Sequence, residues 1–347
     1  MELENFFDLL QALEKKNDRL IHLLVGNGFS MAYDSTIFSY NALHSFIESI
    51  DDPDLQKILS VVETKNFELI MQQLDNLASL VTAFDGTAEL KQQIEHASKK
   101  LKSSLLNAVN SLHPEHVFKV SDEAVESCAK FLNHFLGKGG YVFSTNYDLL
   151  LYWVLMRSST ISHNDGFGRE ALNYEKGMTS DEIDWSDLYW GKHKDNQNIF
   201  YVHGALPFFD AGSQVVKEEY SHSAYLLENI SSRMDGGEYP IFVTAGNGEQ
   251  KLAHIRHNQY LTFCYDKLST ITGTLVTFGF MFGKYDHHII DAINKAAKQG
   301  MNAHPKLLSV YIGVYSDGDK KHIESIQHLF KVKVRIFDAK SVNIWGK

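Results

Sequence analysis

The chain has 347 residues, 44% of them apolar and 22% charged, with only five Pro, proportions that exclude disordered, collagenous and repeat classes. Lys+Arg 33 against Asp+Glu 43 leaves a formal charge of -10, so a nucleic-acid backbone is repelled on average, and no Lys/Arg stripe offsets this. The length allows roughly two domains, or one large α/β domain with an insertion.

Leu3, Phe6, Phe7, Leu10 and Leu13 recur at helical spacing, so an amphipathic helix opens the chain. Leu20 to Val25 reads as a strand ended by Gly26-Asn27-Gly28, with a helix restarting at Phe29. From about Tyr40 to Gly137 the period turns helical, as in Phe67, Ile70, Met71 and Leu74, then Val125, Cys128, Phe131, Leu132 and Phe135. Tyr141 to Ser144 resumes the strand pattern and runs into Thr145-Asn146-Tyr147-Asp148. Further strand candidates are Ile199 to Val202, Ile241 to Thr244, Leu275 to Phe278 and Leu308 to Val314, with Val334 to Phe337 as a sixth or edge strand. The alternation predicts a Rossmann-like α/β fold: a mostly parallel sheet with helices on both faces, ligands lying beyond the carboxyl ends of the strands. The expected organisation is a single domain over 1–347, its core about 1–35 and 139–347, with a large helical insertion at about 36–138.

The strand ends carry Gly26-Asn27-Gly28-Phe29-Ser30, Ser144-Thr145-Asn146-Tyr147-Asp148, His203-Gly204-Ala205, Ala245-Gly246-Asn247-Gly248 and Gly279-Phe280-Met281-Phe282-Gly283. Several such turns on one sheet edge are what a nucleotide crevice requires. Glycines in the first turn let the backbone approach a pyrophosphate, although Gly-x-Gly also closes a ligand-free tight turn. Asn146 and Asp148 could hydrogen-bond ribose hydroxyls, a carboxamide or a water, and Asp148 is equally placed to cap the helix that follows. His203 suits a general base or a satisfied half-buried histidine.

Seventeen histidines raise a metal reading, notably His254 with His257 and the pair His287-His288. No third ligand is fixed near the first pair, and neighbours on a helix point in different directions. Cys128 and Cys264, the two cysteines, cannot form a four-cysteine zinc module and suit a reducing cytoplasm. Glu2, Glu4 and Asp8 replace the basic start of an export signal, and the run Leu149 to Met156 is far shorter than the ~20 residues of a membrane span. Neither a Gly-x-Ser-x-Gly elbow nor a Walker A loop occurs.

In order and placement, Gly26-Asn27-Gly28-Phe29-Ser30, Thr145-Asn146-Tyr147-Asp148, His203-Gly204 and Gly279 with Asp286 resemble motifs of the sirtuin superfamily, and more closely its divergent bacterial branch of antiviral-defence NADases. They are similar to that family's phosphate loop, its Asn-x-Asp motif, its catalytic His-Gly and the late glycine strand on the adenosine side. Asp165-Gly166-Phe167-Gly168 is similar to a segment of the divergent branch. The resemblance covers about Leu20 to Asp34 and Gly139 to Phe337. Asn27 replaces a small residue between the glycines, and the paired Cys-x-x-Cys motifs of protein deacylases are missing, so no zinc is expected.

The resemblance implies cleavage of the nicotinamide to ribose bond of NAD. Asn146 would orient a water or the ribose hydroxyls and His203 would act on the ribose. Gly26, Asn27, Gly28, Ser30 and Thr145 would lie on the phosphate and ribose side, Asp148 at the carboxamide, and Gly279 with Asp286 on the adenosine side. Destruction of a central cofactor implies regulation, by assembly into a homo-oligomer or by a partner chain such as an ATPase or a nucleic-acid-guided protein. The helical insertion is a candidate contact surface or a cap on the crevice. Two other readings stand beside this one: a non-catalytic module that senses NAD or ADP-ribose, and an NAD-dependent deacylase or ADP-ribosyl transferase.

Overall fold

A computed structural model describes residues 3–15, 19–35, 53, 56–57, 67–84, 86–112, 119–179, 182–219, 225–235, 238, 240–243, 247–298 and 306–346. The centre is a seven-stranded sheet made of β1 (Glu4–Asn5), β2 (Ile21–Val25), β3 (Val142–Ser144), β6 (Ile199–Tyr201), β10 (Gly273–Phe278), β11 (Leu307–Val314) and β12 (Lys333–Asp338). Its order is β1-β12-β11-β10-β2-β3-β6, and every neighbouring pair is parallel. After β2 the chain builds outward through β3 and β6, then returns to lay β10, β11 and β12 on the other side of β2. With β1 set aside as an extra edge strand, this is the 3-2-1-4-5-6 order of dinucleotide folds, and its switch point lies between β2 and β10.

Register puts the strand ends level. Val25 pairs with Ser144 and Phe278, and Ser144 with Tyr201, so the turns after β2, β3, β6 and β10 share one edge. The central strands are buried throughout, as parallel strands covered on both faces must be.

Helices flank this sheet. Asn5 caps α1 (Phe6–Glu14) by accepting from the Phe7 amide, and Phe6, Leu9, Leu10 and Leu13 form its buried stripe. The turn after β2 opens the short α2 (Asn27–Tyr33), followed by α3 (Phe67–Ala83) and α4 (Ala88–Leu112), which pack on each other. Of the expected insertion, most of 36–66 lies outside the described residues. Its last helix, α5 (Asp122–Leu136), packs on β2 and β3 and buries Val125, Cys128, Phe131, Leu132 and Phe135. It is therefore part of the crossover between those strands, and the same periodicity that marks it as a helix carries no information about which surface it covers. Then come α6 (Leu150–Arg157), α7 (Leu226–Asp235), α8 (Gly248–His257), α9 (Gln259–Leu268), α10 (His287–Lys298) and α11 (Asp317–Ile326). Among the described residues no helix is long and apolar enough to cross a membrane.

A second sheet is antiparallel, in the order β4-β5-β8-β7-β9, from β4 (Phe167–Gly168), β5 (Leu188–Trp190), β7 (Gly204–Asp210), β8 (Val215–Lys217) and β9 (Pro240–Phe242). This corrects the expectation for Ile241 to Thr244. The strand runs Pro240–Phe242 and pairs with β7 rather than joining the parallel sheet, since a short apolar run does not specify its partner. Thr244, Ala245 and Gly246 lie outside the described residues. Asp165-Gly166-Phe167-Gly168 leads into this sheet, where Lys217 pairs with Asp165 at 2.6 Å while largely buried.

At the amino edge of the parallel sheet, His22 Nε2 donates to the Thr272 carbonyl at 3.0 Å and Nδ1 accepts from the Tyr141 amide at 3.0 Å. The bond accepted by Nδ1 needs a neutral ring, and burial lowers the ring's pKa to about 4. The folded state resists protonation that the unfolded chain accepts, so this contribution is complete above about pH 6.5 and is lost as pH falls toward 4. The loss amounts to about 3 kcal/mol. In urea titrations at pH 7.5 and 4.5, His22→Leu is expected to be less stable at the higher pH and to show a smaller drop between the two. An unchanged drop would remove His22 from the acid response.

Candidate functional site

The first turn is built by backbone packing. The Gly26 amide donates to the Phe278 carbonyl at 3.0 Å, Gly28 to the Gly279 carbonyl at 2.9 Å, and Phe29 to the Gly26 carbonyl at 2.8 Å. A Cβ on Gly28 would lie 2.6 Å from Gly279 Cα, and one on Gly26 would lie 2.7 Å from the Gly279 carbonyl oxygen. Gly279 itself has φ 68, the left-handed region open to glycine. These glycines are thus required by a close crossing of β2 and β10 at the switch point, whatever binds there. The Gly28 and Phe29 amides are engaged within the protein. Asn27 turns inward along its own helix, its Nδ2 donating to Met31 Sδ at 3.2 Å.

From this turn the fully buried Ser30 reaches the next one. Its hydroxyl accepts from Asn146 Nδ2 at 2.9 Å and donates to Asp148 Oδ2. Asp148 Oδ1 in turn accepts from the Leu150 amide at 2.9 Å, at the start of α6. The capping role and the place beside Asn146 therefore coexist in one carboxylate, because its two oxygens face different partners. Thr145 ties the same turn to β2, its amide and hydroxyl both donating to the Val25 carbonyl at 3.0 and 3.1 Å.

Burial pushes the Asp148 carboxyl above its ordinary value of 3.8, against the lowering effect of the Ser30 and Leu150 hydrogen bonds. A raised carboxyl pKa means that its contribution to stability is full below the unfolded value and is lost as pH rises through the folded one. Asp148→Asn retains an acceptor for the Leu150 amide and carries no charge, so relative to wild type it should gain stability between pH 4.5 and 7. Asp148→Ala should lose about 0.5 to 2 kcal/mol from the helix start. Urea titrations at both pH values check this, and an Asn variant that loses ground as pH rises would contradict it.

His203 follows β6, and Gly204, with φ 76, turns the chain out of the parallel sheet into β7. The His203 carbonyl accepts from the Val243 amide at 2.7 Å. Its ring lies near the backbone of Thr145, in the turn that carries Asn146. Nε2 faces His288 Nε2 at 2.8 Å, the two rings stacking at 5.0 Å and 22°. Burial, then His288, Lys251 and His254, lower the His203 pKa, so the ring is neutral at pH 7.

Asp286 precedes α10 and takes Lys251 Nζ at 3.1 Å, with Lys251 buried on α8. His288 and Lys251 were not among the expected site residues. His287-His288 was visible as a pair, and the helix sends its members apart, His287 toward Gly248 and His288 toward His203. Asn247 forms a capping box with Gln250 at the start of α8. Among the described residues no group of three or more His, Cys, Asp or Glu could hold a metal ion, and Cys128 and Cys264 are buried and free.

The structure therefore joins Ser30, Asn146 and Asp148 by hydrogen bonds, sets His203 near Thr145, and packs Gly26 and Gly28 on Gly279. Asp286 belongs to the neighbouring Lys251 pair. A family described as "Domain of unknown function (DUF4917)" matches residues 23–345, from within β2 to beyond β12. The chain belongs to the DUF4917 family. Comparison with curated proteins gave no match.

Proposed function

We propose that this DUF4917 chain binds NAD across the β2/β10 switch point and hydrolyses its nicotinamide to ribose bond. Water adds to the anomeric ribose carbon, the bonding pair leaves on the nicotinamide nitrogen, and nicotinamide and ADP-ribose are released. The observation that carries the reading is the chain of hydrogen bonds from Asn146 through Ser30 to Asp148, beside the glycine crossing of a 3-2-1-4-5-6 sheet. Dinucleotides lie at such a switch point, and a buried amide held by a fixed hydroxyl is preorganised for a ribose or a water. In this reading Asn146 orients the water or the ribose hydroxyls and His203 accepts a proton or binds the ribose. Gly26, Gly28 and Ser30 lie along the pyrophosphate, Asp148 at the carboxamide, and Gly279 with Asp286 toward the adenosine. Regulation by assembly or by a partner chain, in a cytoplasmic antiviral effector, belongs to the same proposal.

A second reading, an NAD or ADP-ribose sensor, draws on His203, whose ring already has a partner in His288. Chromatographic detection of nicotinamide after incubation of the full chain with NAD separates the two. Release supports hydrolysis, NAD binding without release supports the sensor, and absence of binding overturns both.

A further inference from the structure

His288 lies in the first turn of α10, only 1% exposed, with its Nε2 at 2.8 Å from His203 Nε2. A hydrogen bond between two imidazole nitrogens needs hydrogen on one and a lone pair on the other. Whichever ring donates, the nitrogen at the tip of His203 is spent. As donor it has no lone pair to offer, and as acceptor its lone pair is taken. Hydrolysis as proposed asks His203 to accept a proton or bind the ribose, so this contact stands against the reaction.

The closed arrangement is held and burdened at once. Tyr265 Oη on α9 donates to the His288 carbonyl at 3.0 Å, and Lys251 Nζ on α8 reaches Asp286, just before α10, at 3.1 Å. Against these bonds, His288 Nδ1 is buried without a hydrogen-bond partner, and a buried polar atom left unpaired is costly. The segment that leads from β10 to α10 starts with Gly279 to Gly283, and in it Phe282 has φ 52. Among the described residues it is the one residue other than glycine in the left-handed region. Such a backbone persists only where its surroundings over-determine it. Here His322 Nε2 donates to the Met281 carbonyl at 3.0 Å, and the Phe282 ring packs edge-on against Phe280 and Phe330. Turning His288 outward would give both of its nitrogens water and uncover His203.

We infer that the His203–His288 contact is an inhibitory latch: in the resting chain His288 covers the tip nitrogen of His203, and the site becomes competent when the first turn of α10 swings away on the Gly279 to Gly283 loop. The inference rests on the NAD-hydrolysis reading and supplies its regulation. The loop begins at Gly279, which packs on Gly28, so a pyrophosphate seated along Gly26 to Ser30 bears on the segment that carries His288. The observed rate then scales with the fraction of molecules in the open form.

Nicotinamide release by the full chain, with melting temperature beside each rate, compares wild type with three variants. His288→Leu offers His203 no partner, and release should rise about 2- to 10-fold, the factor held back by one net hydrogen bond. His288→Gln, whose amide can donate to His203 or accept from it, should stay near wild type. Tyr265→Phe keeps both imidazoles while loosening α10, and should fall between the two. Damage to the fold lowers a rate, so the direction of the change separates the latch from lost stability. Unchanged or lower release from a folded His288→Leu variant would overturn the inference. Proton–nitrogen spectra of histidine-labelled protein give a readout without turnover. Wild type should show one imidazole proton shared between nitrogens of both rings, and the signal should vanish when ADP-ribose binds. Its absence from the free protein, or its persistence in the bound form, would also overturn the latch. If the signal vanishes on binding and no variant releases nicotinamide, the latch stands and hydrolysis is rejected, whereas absence of binding rejects both.

Discussion

Asn146→Ala and His203→Ala are each expected to lower nicotinamide release by about 100- to 10,000-fold, the range for loss of a positioned acid–base group. Asn146 is 7% exposed and His203 8%, so both are largely withdrawn from bulk water. Neither substitution is neutral for folding. Removing the Asn146 amide takes one donor from Ser30, a change worth about 1 kcal/mol, while removing the His203 ring leaves the buried His288 Nε2 without its partner, at about 1 to 3 kcal/mol. Thermal melting has to accompany every rate. His203→Gln, whose amide can either donate to His288 or accept from it, separates loss of chemistry from loss of packing. Wild-type turnover in a folded Asn146→Ala, His203→Ala double variant would exclude this site.

Gly279→Ala should cost about 2 to 5 kcal/mol. Part of this is the left-handed backbone, about 1 to 2 kcal/mol for a residue with a Cβ, and part is overpacking, about 1 to 3 kcal/mol, because the new carbon would lie 2.4 Å from the Phe29 amide nitrogen and 2.5 Å from the Gly28 carbonyl carbon. Those neighbours are backbone of α2 and cannot swing aside, so the glycine turn must move with them. Gly212→Ala is the matched control, with φ 80 and no atom within 4 Å of the added carbon, and should show the backbone part alone. Denaturant titration of the two variants checks the difference, and equal losses would mean that the β2/β10 crossing tolerates a side chain.

Much of the parallel sheet is legible in the chain as written. Each of β2, β3, β6 and β10 is an apolar run followed at once by small or polar residues, and that pattern is what a buried strand opening onto a ligand edge demands. The residues that proved to be in contact, Ser30 with Asn146 and Asp148, belong to such turns. What stayed hidden depends on pairing across long separations. Pro240–Phe242 looks like any short buried strand until β7 is seen beside it, and β4, β5 and β8 are too short to leave a period. His288 lies 85 positions from His203, and Lys251 is a charged residue on a helix, ordinarily read as solvated. The glycines carry a related lesson. An anion and a closely crossing backbone both ask for a missing Cβ, and here the crossing is the requirement that can be seen.

Occupancy of the switch point by a dinucleotide is the central claim, and a crystal structure of the chain with ADP-ribose measures it directly. The pyrophosphate is expected beside Gly26 to Ser30 and the ribose within hydrogen-bond distance of Asn146, with the His203 ring beside a ribose hydroxyl. ADP-ribose bound away from the carboxyl edge of β2 and β10, or absent at a concentration that saturates the protein's nucleotide binding in solution, would contradict it.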